Sequence, residues 1–244
     1  MVIVDIGSRG GVIPILKSAL PEAKFLDFEP LEETQIGDIK TTNLKRLRAG
    51  ELATHSNSLV WNKEITIPFY VCKKRELSSV FRPNKEFISN YIDPSRFDIE
   101  HVFNIKADKL DNLVNENIDY IKIDAQGASF EILEGAKAHI DRNAPMLEVE
   151  LEFEPIYKNQ KLFEHTLSYL RDFNYNILHM EPHYWAKKRK FYDNKQVGSS
   201  LVWAQVFFAA SSRSLIDKNV NLETRRKIAR VLKFDSYVDE LSIN

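Results

Sequence analysis

The sequence predicts an α/β fold built on a parallel sheet. Two strand ends and the spacing between them carry that expectation. Val4-Asp5-Ile6-Gly7 and Ile121-Lys122-Ile123-Asp124-Ala125-Gln126-Gly127 are apolar runs that each end in an aspartate and then reach a glycine. Between and after them, strand-like and helix-like stretches alternate, which is the signature of strand-helix-strand units. Open sheets of this kind place their chemistry at the carboxyl ends of the strands. Two such ends therefore predict one crevice lined by both, and with it a small-molecule enzyme.

Residues 2–6 form the first buried strand, followed by the turn Gly7-Ser8-Arg9-Gly10-Gly11. A helix runs from there to about Leu20, with Val12, Ile15, Leu16 and Ala19 on one side; Pro14 is tolerated because it falls in the first turn. Ala23 to Phe28 is the second strand, stopped by Glu29-Pro30, and residues 31–49 are helical. Glu64 to Lys73 alternates as a strand, Ser78 to Asn84 is turn-rich, and Phe87 to Tyr91 suits a short helix. Lys109 to Asn117 is helix-compatible, 118–124 is a strand, and 128–142 is one helix with Ile132, Leu133, Ala136 and Ile140 on a face. Gly135 inside that helix costs roughly 1 kcal/mol against Ala, and close packing on the sheet accounts for it. Met146 to Phe153 is a strand, Leu162 to Asp172 a helix, and Tyr175 to Met180 and Leu201 to Ala209 late strands. This gives one domain over residues 1–210 and a polar helical extension over 211–244.

Composition narrows the function. With 34 basic and 35 acidic side chains the formal net charge is -1, so charge gives no argument for nucleic acid or a membrane surface. Cys72 is the single cysteine, which excludes an internal disulfide and a cysteine zinc cluster. No apolar run spans a bilayer and the first residues are not a signal peptide. The expectation is a cytoplasmic protein, with self-association left open.

Three signals locate the site. The first turn has the pattern Asp-x-Gly-x-x-Gly-Gly, whose glycines let backbone N–H groups approach a ligand at a helix start. Arg9 stands where a dinucleotide fingerprint has its second glycine, which weighs against a nicotinamide site, and a plain tight turn is the alternative. Glu29 ends the second strand, where an acid can accept hydrogen bonds from both hydroxyls of a nucleoside ribose. Asp27, two residues earlier, competes for that role, and an N-cap is the bland alternative. Asp124 ends the later strand and either caps the next helix or serves the reaction centre by holding an ammonium, a hydroxyl or a metal.

These stretches carry a resemblance. Val4-Asp5-Ile6-Gly7-Ser8-Arg9-Gly10-Gly11, Phe28-Glu29-Pro30, Leu110-Asp111-Asn112-Leu113, Ile118 through Gly127 and Ile132-Leu133-Glu134-Gly135-Ala136 together resemble the FkbM family of S-adenosylmethionine-dependent methyltransferases, over roughly residues 2–209. The run ending in Asp124 is the most specific part. The resemblance implies a class I methyltransferase (Rossmann-like) fold, a seven-stranded sheet with its last strand antiparallel and helices on both faces. It implies S-adenosylmethionine as cofactor, flanked by Asp5, Gly7, Ser8, Arg9 and Gly11, held at its ribose by Glu29 and bordered by Asp124 at the methyl-transfer site. It implies O-methylation of a small molecule or glycan. Two departures stand out: Ser8-Arg9 replaces the family's common Ala-Asn pair, and Gln126 replaces its common acid, so position 126 supplies no base. The chain also starts almost on the first strand, so a cover for the cofactor comes from elsewhere in the chain, from a partner chain, or is missing.

Methylating a hydroxyl needs alignment and often a general base, a role that suits histidine. Of His55, His101, His139, His165, His179 and His183, the last two lie at the end of the predicted late strand, where an acceptor enters, and are the candidate bases with Asp124. The run His183-Tyr184-Trp185-Ala186-Lys187-Lys188-Arg189-Lys190-Phe191-Tyr192 mixes aromatics with cations. It reads as an acceptor loop, with Tyr184 and Trp185 on a sugar ring and Lys187, Lys188 and Arg189 on an anionic group; a solvated basic loop is its rival and single-stranded nucleic acid a distant third. The acids Glu148, Glu150, Glu152 and Glu154 read as the polar side of a strand. A nicotinamide oxidoreductase and a non-catalytic methyltransferase-like binding domain are the competing functions.

Overall fold

The computed structural model describes residues 1–7, 14–30, 53–187 and 199–243. The helix expected over 31–49 and the turn residues Ser8, Arg9 and Gly11 lie outside them, as do Lys188 and Arg189.

The first strand, β1 (Val2–Ile6), is almost wholly buried, as its run of Val and Ile requires. Helix α1 (Pro14–Ala19) starts on its proline, whose missing N–H costs nothing at that position. Then come β2 (Lys24–Phe28), β3 (Ala53–Ser56), β4 (Leu59–Val60), β5 (Ile65–Cys72), α2 (Lys85–Ile88), β6 (Ile99–Asp108), α3 (Leu110–Leu113) and β7 (Tyr120–Ile123). The chain continues through α4 (Ser129–Gly135), α5 (Lys137–Asn143), β8 (Met146–Glu152), α6 (Phe163–Arg171), β9 (Tyr175–Ala186) and β10 (Ser199–Ala210). Helices α7 (Ser212–Asp217), α8 (Leu222–Val231) and α9 (Asp235–Glu240) close it.

Seven strands form one sheet in the order β3-β2-β1-β7-β8-β10-β9. β1 pairs parallel to β2 and β7, and β7 parallel to β8. β10 runs antiparallel to both β8 and β9, which turns β9 back into the direction of β1. A second sheet, β4-β6-β5, is inserted between β3 and β7. The sequence marked β5 as a strand but not its partner: β6 is its antiparallel neighbour, with Phe69 facing Phe103 in register.

Several expectations are corrected. The helix read over 128–142 breaks at Ala136 into α4 and α5. Gly135 does accommodate a close approach, but the neighbour is the small sheet: a Cβ there would lie 2.0 Å from the Trp61 carbonyl oxygen. The helix expected over 109–117 is formed only at Leu110–Leu113. The late strand does not stop at Met180; β9 continues to Ala186, so His183, Tyr184 and Trp185 are strand residues paired with β10 rather than a loop. Pro182 fits because β9 is an edge strand of the sheet. The acids of β8 do not face water: Glu148 and Glu152 are buried, since this central strand is covered on both faces.

The residues after 210 are docked onto the sheet. Ser211 caps α7 through the Ser214 N–H, and Asn221 caps α8 through the N–H groups of Glu223 and Thr224. Ile228, Ala229, Tyr237 and Leu241 join the same apolar cluster as the strands. Arg225, fully buried, donates to Asp119 Oδ1 at 2.6 Å and to the Asn143 carbonyl at 2.7 Å. Asp119 in turn accepts the Val2 N–H at 2.9 Å, so one ion pair ties α8 to the starts of β1 and β7.

Candidate functional site

Backbone hydrogen bonds continue past the strand ends and align three segments. The Gly7 N–H donates to Phe28 O at 2.9 Å, Glu29 N–H to Ser56 O at 3.0 Å, and Asp124 N–H to Ile6 O at 2.9 Å. Gly7, Glu29 and Asp124 therefore sit side by side at the carboxyl edge of β1, β2 and β7. Gly7 has φ +83°, and a Cβ there would meet the Asp124 carbonyl oxygen at 2.1 Å, so only glycine lets the two strand ends approach this closely.

A cavity of about 270 Å³ opens at this edge. Its floor is Ile6, Gly7, Phe28 and Glu29 with Lys122, Asp124 and Gln126. Its roof comes from the inserted sheet and the segment after it: Leu59, Val60, Trp61, Phe69, Ser78 and Val80. Residues from the 59–80 stretch thus close over this cavity from within the chain. Glu29 is 7 % exposed and lines this cavity, whereas Asp27 is buried below it in register with Asp5 and is not part of the wall.

Asp5 is 1 % exposed and also lies behind the wall. It meets Lys122 Nζ at 3.4 Å, and the same ammonium lies 3.8 Å from Asp124 Oδ2. Burial pulls the Lys122 pKa down, but Asp5 and Asp124 outweigh it and hold the group above its ordinary value. Lys122, the charged residue of β7, is the cation that couples the two aspartates. Asp5, expected to flank the cofactor, is not among the residues lining the cavity and pairs with Lys122 behind its wall.

Behind Asp124 lies a polar network that the sequence did not reveal. Gln126 Nε2 donates to Asp124 Oδ1 at 3.0 Å and to Glu150 Oε1 at 2.8 Å. The Tyr157 hydroxyl lies 3.0 Å from Gln126 Oε1 and 3.1 Å from the Leu77 carbonyl. Gln126 and Gly127 both have positive φ, 50° and 86°, and the Ser79 hydroxyl donates to the Gln126 carbonyl at 2.7 Å. A left-handed non-glycine residue costs energy and persists where its surroundings hold it. Burial, reinforced by Asp124 and Glu152, holds the Glu150 carboxyl well above the usual carboxylate range, and burial pushes Glu152 up to about 8.

The candidate bases His179 and His183 are not at this cavity. His179 lies near Glu181 and the rings of Phe207 and Phe234, along a separate groove. His183 stacks on Trp203, with ring centroids 5.3 Å apart. His139 is buried and bonded to the Val114 carbonyl, a packing role. His55 lies in β3 opposite Asp27. The strand pairing of β9 explains the error: its side chains alternate between faces, and none of its histidines reaches the β1–β7 crevice.

The aromatic-basic run divides similarly. Trp185 is 5 % exposed, stacked on Tyr91 at 4.5 Å and covered by the Arg96 guanidinium at 4.4 Å. It is a packing residue of a second apolar cluster with Ile88, Phe97, Ile156, Tyr157 and Val202, which removes it from the sugar-stacking role. Tyr184 is 60 % exposed and Lys187 is exposed beside Tyr91. Because β9 runs with β1, Tyr184 and Lys187 lie toward the same sheet edge as Asp124. Among the described residues no group of three His, Cys, Asp or Glu side chains is arranged to hold a metal ion, and no helix is long and apolar enough to cross a membrane.

Comparison with known proteins adds three findings. The model of the methyltransferase FkbM domain matches residues 6–177. A solved structure of methyltransferase FkbM from Methylobacillus flagellatus KT is similar over 85 % of this chain and 42 % of its own, at 11 % identity and a TM-score of 0.41. The small ribosomal subunit protein uS4c of Prototheca wickerhamii is 30 % identical over 79 residues, which is 31 % of this chain and 38 % of that protein. The chain thus spans less than half the length of either protein.

Proposed function

Since the chain belongs to the methyltransferase FkbM family, we propose that it binds S-adenosylmethionine in the cavity at the ends of β1, β2 and β7 and methylates a hydroxyl of a small molecule or glycan. The observation that supports this most is the meeting of Glu29, Gly7 and Asp124 on one cavity wall under an apolar roof. That donor set suits the cofactor. Glu29 would accept hydrogen bonds from the ribose hydroxyls, Asp124 would face its cationic end, and Phe28, Leu59, Val60 and Trp61 offer a dry surface for the base. When bound, S-adenosylmethionine supplies an electrophilic methyl group on a sulfonium.

The chain's own residues do the rest. Asp124, the partly exposed carboxylate of the wall, accepts the proton of the acceptor hydroxyl. Lys122 and Gln126 hold its two oxygens in place, and the roof over residues 59–80 excludes water. Tyr184 and Lys187, with Lys188 and Arg189, are assigned to acceptor recognition. The strand order with its antiparallel last member accords with a class I methyltransferase. In this reading residues 1–210 are the catalytic domain, 211–244 are a helical extension packed on it, and the setting is cytoplasmic. Mass spectrometry of ligand released from the purified protein tests it: S-adenosylmethionine or S-adenosylhomocysteine is the expected species. A nicotinamide dinucleotide in its place would make the protein an oxidoreductase.

A further inference from the structure

Among the described residues, the charged side chains that line the cavity are Glu29, Arg75, Glu76, Lys122 and Asp124. Of the two cations, Lys122 is engaged with Asp5 at 3.4 Å and with Asp124 at 3.8 Å. Arg75 is the other, and it sits in the roof. It opens the 3₁₀ turn Arg75–Leu77. That turn is closed below by backbone bonds of 2.8 and 3.1 Å between Tyr70 and Ser79, and by the Cys72 N–H on the Ser78 hydroxyl at 3.1 Å. Its last carbonyl, that of Leu77, lies 3.1 Å from the Tyr157 hydroxyl. The same hydroxyl lies 3.0 Å from Gln126 Oε1, and Gln126 holds Asp124. Arg75 therefore belongs to the Asp124 end of the cavity.

The guanidinium is positioned but not used up. Nη1 donates to the Cys72 carbonyl at 2.9 Å, and Nη2 meets Glu100 Oε2 at 2.8 Å. A guanidinium has five N–H donors in a fixed plane, so these partners orient the fork and leave donors for a ligand. Glu100 is not part of the cavity wall and its side chain is 40 % exposed, and a pair so open to water binds weakly. Glu76, the neighbouring acid of the wall, is exposed and its charge is screened. We propose that Arg75 is the anion-binding residue of this cavity and takes a ligand carboxylate beside Asp124. Such a carboxylate has two sources, the amino-acid end of S-adenosylmethionine or an acidic acceptor such as a uronic acid. The cofactor source rests on the methyl-transfer reading; the anion site rests on the cavity alone.

Calorimetry on wild type and Arg75→Met separates the sources. S-adenosylhomocysteine carries the carboxylate, and methylthioadenosine is the same thioether nucleoside without the amino acid. If the cofactor supplies the anion, Arg75→Met should bind S-adenosylhomocysteine about tenfold or more weakly and methylthioadenosine as wild type does. If the acceptor supplies it, S-adenosylhomocysteine affinity should hold, and glucuronate binding to the protein saturated with it should be lost, with no such change for glucose. Arg75→Lys should recover part of either loss, since it restores the charge without the fork. Lys74→Met removes an exposed charge one position away and should change neither. Equal weakening of S-adenosylhomocysteine and methylthioadenosine would give Arg75 a merely structural role and overturn the proposal. So would an unchanged affinity for every probe in a folded Arg75→Met protein, an equal loss in Lys74→Met, or a wild type that binds none of the probes. Glucuronate binding that depends on Arg75, in a protein that binds no S-adenosylhomocysteine, would uphold the anion site and remove the methyl-transfer reading instead.

Discussion

Asp124→Asn is expected to lower methyl-transfer turnover by roughly 10²- to 10⁴-fold, the range for loss of a positioned proton acceptor, with little change in melting temperature. The asparagine keeps the size of the side chain and can still accept from Gln126, so the network behind it stays closed. What disappears is the charge that Lys122 faces at 3.8 Å and that the acceptor hydroxyl needs. Steady-state kinetics with labelled methyl donor, beside a thermal melt, checks both halves. Normal turnover would reduce Asp124 to a helix-start acid, and a variant that simply unfolds would give it a structural role only.

The second large effect lies far from the cavity. Arg225→Met should destabilise the fold by about 3–5 kcal/mol, because it leaves Asp119 without its buried guanidinium. For a domain of this size that corresponds to a fall in melting temperature of about 6–20 °C. The same side chain bonds the Asn143 carbonyl, so the loss reaches the α5–β8 connection as well. Replacing both Arg225 and Asp119 by apolar residues should recover much of the stability, since the charge left behind is what costs most. Denaturant unfolding of the single and double variants measures this. A single variant within about 1 kcal/mol of wild type would mean that the pair contributes no more than an exposed ion pair.

The parts of this molecule that could be read in its sequence are those where one local pattern has one outcome. Val2–Ile6 is apolar at every position but Asp5 and reads as a buried strand, and the glycine after it marks a close approach. That approach is to the Asp124 carbonyl. Glu29 and Asp124 were legible because position at a strand end fixes which way an acid faces. Long-range pairing hid the rest. β9 looked finished at Met180 because Glu181, Pro182 and His183 are polar or strand-breaking, and only its place at the sheet edge makes them acceptable. The acids of β8 alternate as solvent-facing residues do, but a central strand covered on both faces buries Glu148 and Glu152. Gln126 seemed a lost acid; its role depends on Glu150 and Tyr157, 24 and 31 positions away. Trp185 shows the same limit, since Tyr91 and Arg96 claim both of its faces.

The central claim is that the wall made by Gly7, Glu29 and Asp124 holds S-adenosylmethionine. Calorimetric titration of that molecule into wild type and Glu29→Ala tests it most directly. Losing a hydrogen bond to a charged acceptor costs about 1.5–3 kcal/mol, so the variant should bind roughly 10- to 150-fold more weakly while melting near wild type. Equal affinity in a folded Glu29→Ala protein would place the ribose elsewhere and contradict the account.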